Sequence, residues 1–136
     1  MDIKPRNLVI AAAVIVALLL AGNGRIFGTA GPVTDAQAAK YAGRWTLVHG
    51  VVEEVRDVGG TTYVNFGGEY PFQTFAAVIS PKDYPTVFRS IPKPDEDGSF
   101  GEYWITGRVE LVDGRALIHI TELNQILSDN QMSTDD

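Results

Sequence analysis

The chain has no cysteine. Disulfides, thiol nucleophiles and thiolate metal sites are therefore excluded, and the redox state of the compartment is left open. The fold has to stand on its apolar core. Clustered base is also missing. The net charge is −6, and all but one of the 17 Asp and Glu lie from Thr34 onward, as do all but three of the 11 Lys and Arg. Phosphate binding draws on grouped Lys and Arg. An acidic domain with scattered bases argues against strong, non-specific nucleic-acid binding. The common catalytic signatures are absent too: no G-x-S-x-G, no P-loop and no H-E-x-x-H occurs. We expect no enzyme, no catalytic residues, no metal and no small-molecule cofactor.

What is present begins with an apolar run from Leu8 to Ala21, behind Lys4 and Arg6. A comfortable membrane-spanning helix wants about 20 apolar residues. A signal-peptide core wants roughly 7–15. Residues 1–22 are therefore a signal peptide or a membrane anchor. The small-residue cleavage candidates, Gly28-Thr29-Ala30 and Ala36-Gln37-Ala38, are both poorly placed, which favours the anchor. Either reading puts the folded domain outside the inner membrane, because Lys4 and Arg6 hold the N-terminus in the cytoplasm. The expected location is an inner-membrane protein with a periplasmic domain, or a secreted periplasmic one if the signal is cut. Residues 23–33 read as a linker. "GNGRIFG" within it has one residue too many for a dinucleotide fingerprint, and no βαβ unit follows.

From Thr34 the chain reads as a folded domain to Leu127. Thr34 and Gln37 have capping-box spacing for a short helix that stops at Gly43. "RWTLVHGVVEEVRDV" is long for one strand, and Gly50 in its middle predicts a bulge or bend. Gly59-Gly60 turns into a strand at Thr61–Phe66. A third strand is expected at Phe72–Ile79, then a short helix from Lys82 to about Arg89 behind Ser80-Pro81. A polar loop, Pro92 to Gly101, leads to a strand at Glu102–Val112. There Tyr103, Ile105, Val109 and Leu111 share one parity. Asp113-Gly114 is a hairpin signal, and "RALIHIT" places Ala116, Ile118 and Ile120 on one face. A last helical turn, Glu122 to Leu127, precedes a polar tail, residues 128–136, expected to be unstructured.

Three strands, a helical connection and a two-strand hairpin, with a long bent first strand, is the layout of a five-stranded OB barrel. The expected fold class is all-β: a five-stranded OB-fold with short helices, preceded by an N-terminal hydrophobic helix. Closing the sheet removes its exposed edges.

The blocks "GRWTLVHGVVEEV", "TTYVNFGGEYPFQTFAAVI" and "ITGRVELVDGRALIHITELNQI" resemble a bacterial OB-fold family. It is the nucleic-acid-binding-like OB domain found alone or beside thermonuclease-like modules. The resemblance covers roughly Asp35 to Leu127, and it implies a binding domain. Two features depart from the family pattern. Glu122-Leu123-Asn124 stands where the family commonly has Asp-Pro before the closing Gln-Ile. The loop at Pro92–Gly101 is longer and more acidic than usual.

Binding candidates follow from the OB layout. OB domains stack bases on rings of the second and third strands. The run Thr61–Phe75 carries Tyr63, Phe66, Tyr70, Phe72 and Phe75. We assign Phe66, Phe72 and Phe75 to the core and keep Tyr63 and Tyr70 as contact candidates, since a phenol tolerates a wet rim. Arg56, Arg108 and Arg115 are the bases placed for an anionic patch; their bland alternative is pairing with Glu53, Glu54 and Glu110. His49 and His119 are best read as ordinary strand histidines without a third ligand. "DEDGSFGEYW" fails as a calcium loop, because Lys93 and Trp104 fall where acids are required. Two functions stay open. One is a non-catalytic OB module, membrane-tethered through its N-terminal helix, serving as scaffold or accessory subunit for a protein partner or membrane complex. The other is a single-stranded nucleic-acid binder at the cell envelope, disfavoured by the acidic charge.

Overall fold

The computed structural model describes residues 30–132. The expected hydrophobic helix, and residues 133–136, lie outside the described residues. Among the described residues, no helix is long and apolar enough to cross a membrane.

The domain is built from strands β1 (Ala30–Thr34), β2 (Trp45–Val58), β3 (Thr61–Phe66), β4 (Phe75–Ile79), β5 (Glu102–Arg108), β6 (Glu110–Val112), β7 (Arg115–Ile120) and β8 (Ile126–Ser128). Short 3-10 turns at Asp35–Tyr41, Pro85–Ser90 and Leu123–Gln125 connect them, and α1 (Asp129–Met132) is a single helical turn.

The long strand β2 organises everything else. Its first half pairs antiparallel with β5, from Trp45 opposite Arg108 to Val51 opposite Glu102. Its second half pairs antiparallel with β3, from Val52 opposite Phe66 to Val58 opposite Thr61. The expected bend is there, but the register slips between Val52 and Glu54, not at Gly50. Gly50 serves close approach instead. A Cβ there would lie 2.5 Å from Asp35 Oδ1 and 3.1 Å from a Phe66 ring carbon.

From β3 the sheet continues antiparallel to β4, then parallel to β7, then antiparallel to β6 through the Asp113-Gly114 turn. One end of this path is β6, and β5 lies beyond β2 on the other side. Yet β5 and β6 are consecutive pieces of one extended stretch, parted only at Val109. Val109 N donates to Arg44 O and its carbonyl accepts from Gly43 N. The sheet thus curls until both sides meet in the same stretch of chain. A meander, a helical connection, a closing hairpin and a parallel contact between third and fifth strands constitute the OB fold.

Alternation fills the barrel. Val64 and Phe66 on β3, Phe75, Ala77 and Ile79 on β4, and Ile118 on β7 are all fully enclosed. Phe66 and Phe75 meet ring to ring at 5.3 Å, tilted by 59°. Gly107 is required where β5 passes closest to β7. Its φ is +152°, and a Cβ would meet Ile118 Cγ2 at 2.5 Å.

Several boundaries differ from expectation. The third strand starts at Phe75, not Phe72. Phe72 sits in the turn between β3 and β4, where its N–H donates to Glu69 O, and its side chain is 81% exposed. It is a surface ring, not a core ring. The expected helix at 82–89 is a 3-10 turn opened by Pro85. The break at Val109 changes the parity of Glu102–Val112, so Leu111 faces outward.

The domain also extends past both expected ends. β1 pairs parallel with β2 inside the expected linker, with Val33 buried. Beyond Leu127, the expected polar tail supplies the end of β8, which pairs with β5, and the turn α1. Met132 is completely buried against a second apolar cluster with Leu47 and Trp104, on the outer face of β2 and β5.

Gln125 ties this end of the chain down. Its Oε1 accepts from Thr121 N, Thr121 Oγ1 and Glu122 N. Its Nε2 donates to Thr106 O at 3.0 Å and His119 O at 3.1 Å. The glutamine of the closing Gln-Ile pair is therefore a buried clamp between β5, β7 and the following turn.

Candidate functional site

A groove of about 310 Å3 runs over β2, β3, β4 and β7 beside the β6–β7 hairpin. Period-two geometry builds its floor. Val64 and Phe66 point into the barrel, so Tyr63 and Asn65 point the other way, into the groove. Arg56 stands directly across from Tyr63 in the β2–β3 ladder. Tyr70 and Gln73 overhang from the β3–β4 turn, and Arg115 approaches from the start of β7.

Glu54 holds the overhanging turn in place. Its Oε1 accepts from Asn65 Nδ2 and from Tyr70 N, both at 2.8 Å. The Tyr70 N–H is the largest influence holding the Glu54 carboxyl below its ordinary value. Asn65 and the Arg56 charge act in the same direction, while partial burial works against them. The Arg56 guanidinium then lies over the Tyr70 ring, 4.5 Å from its centroid. These contacts preset the turn and the arginine before any ligand arrives.

Two acceptors in the groove are left over. Asn65 Oδ1 and Gln73 Oε1 are closed to solvent and accept no hydrogen bond. Asn65 is 1% exposed. The apolar rim comes from Val58 and Val112, both about half exposed. Among the described residues, Asp113 is the groove's one carboxylate and no histidine lines it. Rings, guanidiniums and amide acceptors are the chemistry of recognition.

Of the residues singled out from sequence, Tyr63, Tyr70, Arg56 and Arg115 line this one groove. Arg108 does not. It ends β5 opposite Trp45, where β5 pairs with the first half of β2. Sequence reasoning missed Asn65 and Gln73, and read Glu54 only as a pairing partner for the strand arginines. Asn65 was within reach, since it shares strand parity with Tyr63. Gln73 was not, because its place depends on the shape of the β3–β4 turn.

His49 and His119 do not form a pair, because β2 and β7 are not neighbours in the sheet. His119 Nε2 lies 4.0 Å from Glu110 Oε2. In the acidic loop, the Asp97 carboxylate accepts from Ser99 N at 3.0 Å and Ser99 Oγ at 2.7 Å. Those bonds, the backbone one first, lower its pKa. This loop bonds to itself and presents no cage.

No family model matches the chain, and no curated protein matches it. Solved structures do. The chain is similar to one in the S. pombe Stn1-ten1 complex, with a TM-score of 0.44 and 10% identity over 57% of this chain and 54% of that one. It thus spans about half the length of that relative. It is similar to an OBody bound to hen egg-white lysozyme, with a TM-score of 0.49 and 18% identity over 71% of this chain and 89% of that one. It is also similar to asparaginyl-tRNA synthetase from Pyrococcus horikoshii, with a TM-score of 0.49 and 16% identity over 71% of this chain and 24% of that one.

Proposed function

We propose that this domain is a non-catalytic binding module whose groove takes a segment of a protein partner. The observation that carries this reading is the composition of the groove. Tyr63, Tyr70, Arg56 and Arg115 surround two unpartnered amide oxygens, with Val58 and Val112 at the rim. Tyrosine and arginine dominate the binding energy of protein interfaces. Asn65 Oδ1 and Gln73 Oε1 lie beneath the groove surface, closed to solvent, and their isolation costs free energy. The sequence resemblance over Asp35 to Leu127 to a bacterial OB-domain family supports a binding role. The apolar run behind Lys4 and Arg6 supports a domain tethered to the inner membrane on the periplasmic side, as scaffold or accessory subunit of a membrane complex.

One observation favours a second reading, a single-stranded nucleic-acid binder. Tyr63 and Tyr70 stand in the groove beside Arg56 and Arg115, and rings with cations are what single-strand binding uses. The net charge of −6 weighs against it.

One experiment separates the two. The full chain, in detergent, is crosslinked to its partners in isolated membranes and titrated in parallel with labelled oligonucleotides at two salt concentrations. Recovery of a defined membrane protein, lost with Tyr70→Ala and Arg115→Ala, supports the first reading. Oligonucleotide binding that weakens steeply with salt and disappears in the same variants replaces it with the second. Binding that survives both substitutions refutes the groove as the site.

A further inference from the structure

Away from the groove, and sharing no residue with it, the outer face of β2, β5 and β8 gathers a histidine and two carboxylates. The strand registers explain why. His49 stands opposite Trp104 in the β2–β5 ladder. Trp104 stands opposite Leu127 in the β5–β8 ladder. Stepping two residues along β5 from Trp104 reaches Glu102, and stepping two on from Leu127 reaches Asp129. Glu102 shares a strand face with Trp104, and Asp129 opens α1 directly after β8, so β2, β5 and the β8–α1 junction bring His49, Glu102 and Asp129 to one spot. One ligand atom from each lies within 4.8 Å of the others.

His49 Nε2 is closed to solvent and makes no hydrogen bond. Glu102 Oε1 is 2.9 Å from it and Asp129 Oδ1 3.8 Å, neither in hydrogen-bond geometry. The nitrogen thus sits at ion-pair distance from Glu102 Oε1, with Asp129 Oδ1 next beyond it. A zinc ion holds nitrogen and oxygen ligands at roughly 2.0–2.2 Å, which sets tetrahedral ligands roughly 3.3–3.5 Å apart. The two observed separations fall on either side of that range.

The surroundings fix the ligands. The His49 ring stacks on Trp104 with centroids 4.0 Å apart and planes 13° from parallel. Trp104 Nε1 donates to Asp129 Oδ1 at 2.9 Å. One indole therefore sets the plane of the imidazole and the position of a carboxylate, as groups behind metal ligands do. The apolar cluster of Leu47, Trp104 and Met132 lies on the same face.

We propose that His49, Glu102 and Asp129 bind a divalent transition metal, zinc first, with water completing its coordination. An imidazole with two carboxylates selects the borderline divalent metals over magnesium and calcium, which take oxygen ligands. The site joins the first residue of α1 to β2 and β5, and so holds Met132 in its apolar seat. Binding needs a neutral imidazole and competes with protons.

The test uses the full chain in detergent, stripped with a chelator and titrated with Zn2+ and with Co2+. A chain without cysteine gives a background free of thiolate binding. The expected result is one Zn2+ per chain, a change in tryptophan fluorescence from Trp104, Co2+ absorption bands in the visible, and a melting temperature that rises with Zn2+. His49→Gln, Glu102→Gln and Asp129→Asn each abolish these signals or weaken affinity at least about tenfold, and Trp104→Phe weakens it about tenfold by removing the indole bond to Asp129 and the stack on His49. His119→Gln leaves them intact. Circular dichroism establishes that each variant is folded, and Asp129→Asn keeps an acceptor for Trp104 where another variant fails to fold. Unchanged binding in folded His49→Gln, displacement of Zn2+ by Mg2+ or Ca2+, or no binding by the stripped wild-type chain overturns the proposal.

Discussion

The Arg56 guanidinium lies 4.5 Å above the centroid of the Tyr70 ring, although the two residues belong to different parts of the barrel wall. Arg56 is on β2, and Tyr70 is in the turn beyond β3. The contact closes one side of the groove. At an exposed site such a pair contributes about 0.5–1 kcal/mol. A double-mutant cycle with Arg56→Ala and Tyr70→Ala in urea unfolding is expected to return a coupling of that size. Each single change is expected to leave the fold intact while weakening capture of the groove's partner. A coupling of zero places the two side chains apart in solution.

Phe72 and Phe75, three residues apart, are predicted to behave oppositely. Phe75 is completely buried against Phe66, whereas Phe72 is 81% exposed. Truncating a buried phenylalanine costs about 3–5 kcal/mol. A surface change stays within about 0.5 kcal/mol. Urea midpoints of Phe75→Ala and Phe72→Ala measure both. Equal losses place Phe72 in the core, where the sequence pattern put it.

Gln125 offers a third measurement. Five hydrogen bonds converge on its side-chain amide. Gln125→Ala leaves Thr106 O, His119 O and the Thr121 and Glu122 N–H groups without this partner. Each buried polar group so stranded costs about 1–3 kcal/mol, reduced where water enters. A net loss of at least about 2 kcal/mol is expected. Gln125→Glu is expected to match it, because the replacement oxygen faces two carbonyl oxygens. The neighbouring Asn124→Ala, on the exposed side of the same turn, is expected to change stability by less than about 0.5 kcal/mol. Hydrogen exchange at the Thr121 amide reports the same clamp locally.

The barrel was legible in the sequence wherever one local rule decided the outcome. Alternation gave Ala116, Ile118 and Ile120 their common face, and Asp113-Gly114 gave the hairpin between β6 and β7. The length of Trp45–Val58 betrayed a strand shared by both halves of the sheet. Local rules stop where a partner strand decides. Ile126–Ser128 becomes β8 only because Tyr103–Ile105 is there to pair with it. Phe72 looks like a core ring until the turn at Gly67–Thr74 carries it outward. In the groove, Tyr63 could be read from strand parity, but Gln73 needed the fold of the turn. The trio of His49, Glu102 and Asp129 comes from β2, β5 and the start of α1, and none of its three spacings in sequence resembles a metal motif.

Glu54 makes the groove's shape depend on pH. The Tyr70 N–H, with Asn65 and Arg56 behind it, favours the charged carboxylate in the folded state and lowers its pKa. The unfolded chain therefore holds this proton more tightly than the folded one. The resulting stabilisation is fully present above the range in which an unfolded glutamate titrates, about pH 4–5, and is lost as pH falls through the lower folded value. Glu54→Gln keeps the shape of the side chain and removes the titration. Wild type is expected to be the more stable of the two at neutral pH, with the difference closing as the solution is acidified. Because Glu54 is near solvent, screening keeps the gap small, and added salt narrows it further. The Tyr70 amide gives the local reading. Its exchange with solvent is expected to quicken on acidification relative to other turn amides in the wild type, and to show no such acid step in Glu54→Gln. Parallel pH profiles for the two proteins would show that the carboxylate does not hold the turn, and that the groove's shape comes from the chain between Gly67 and Thr74 alone.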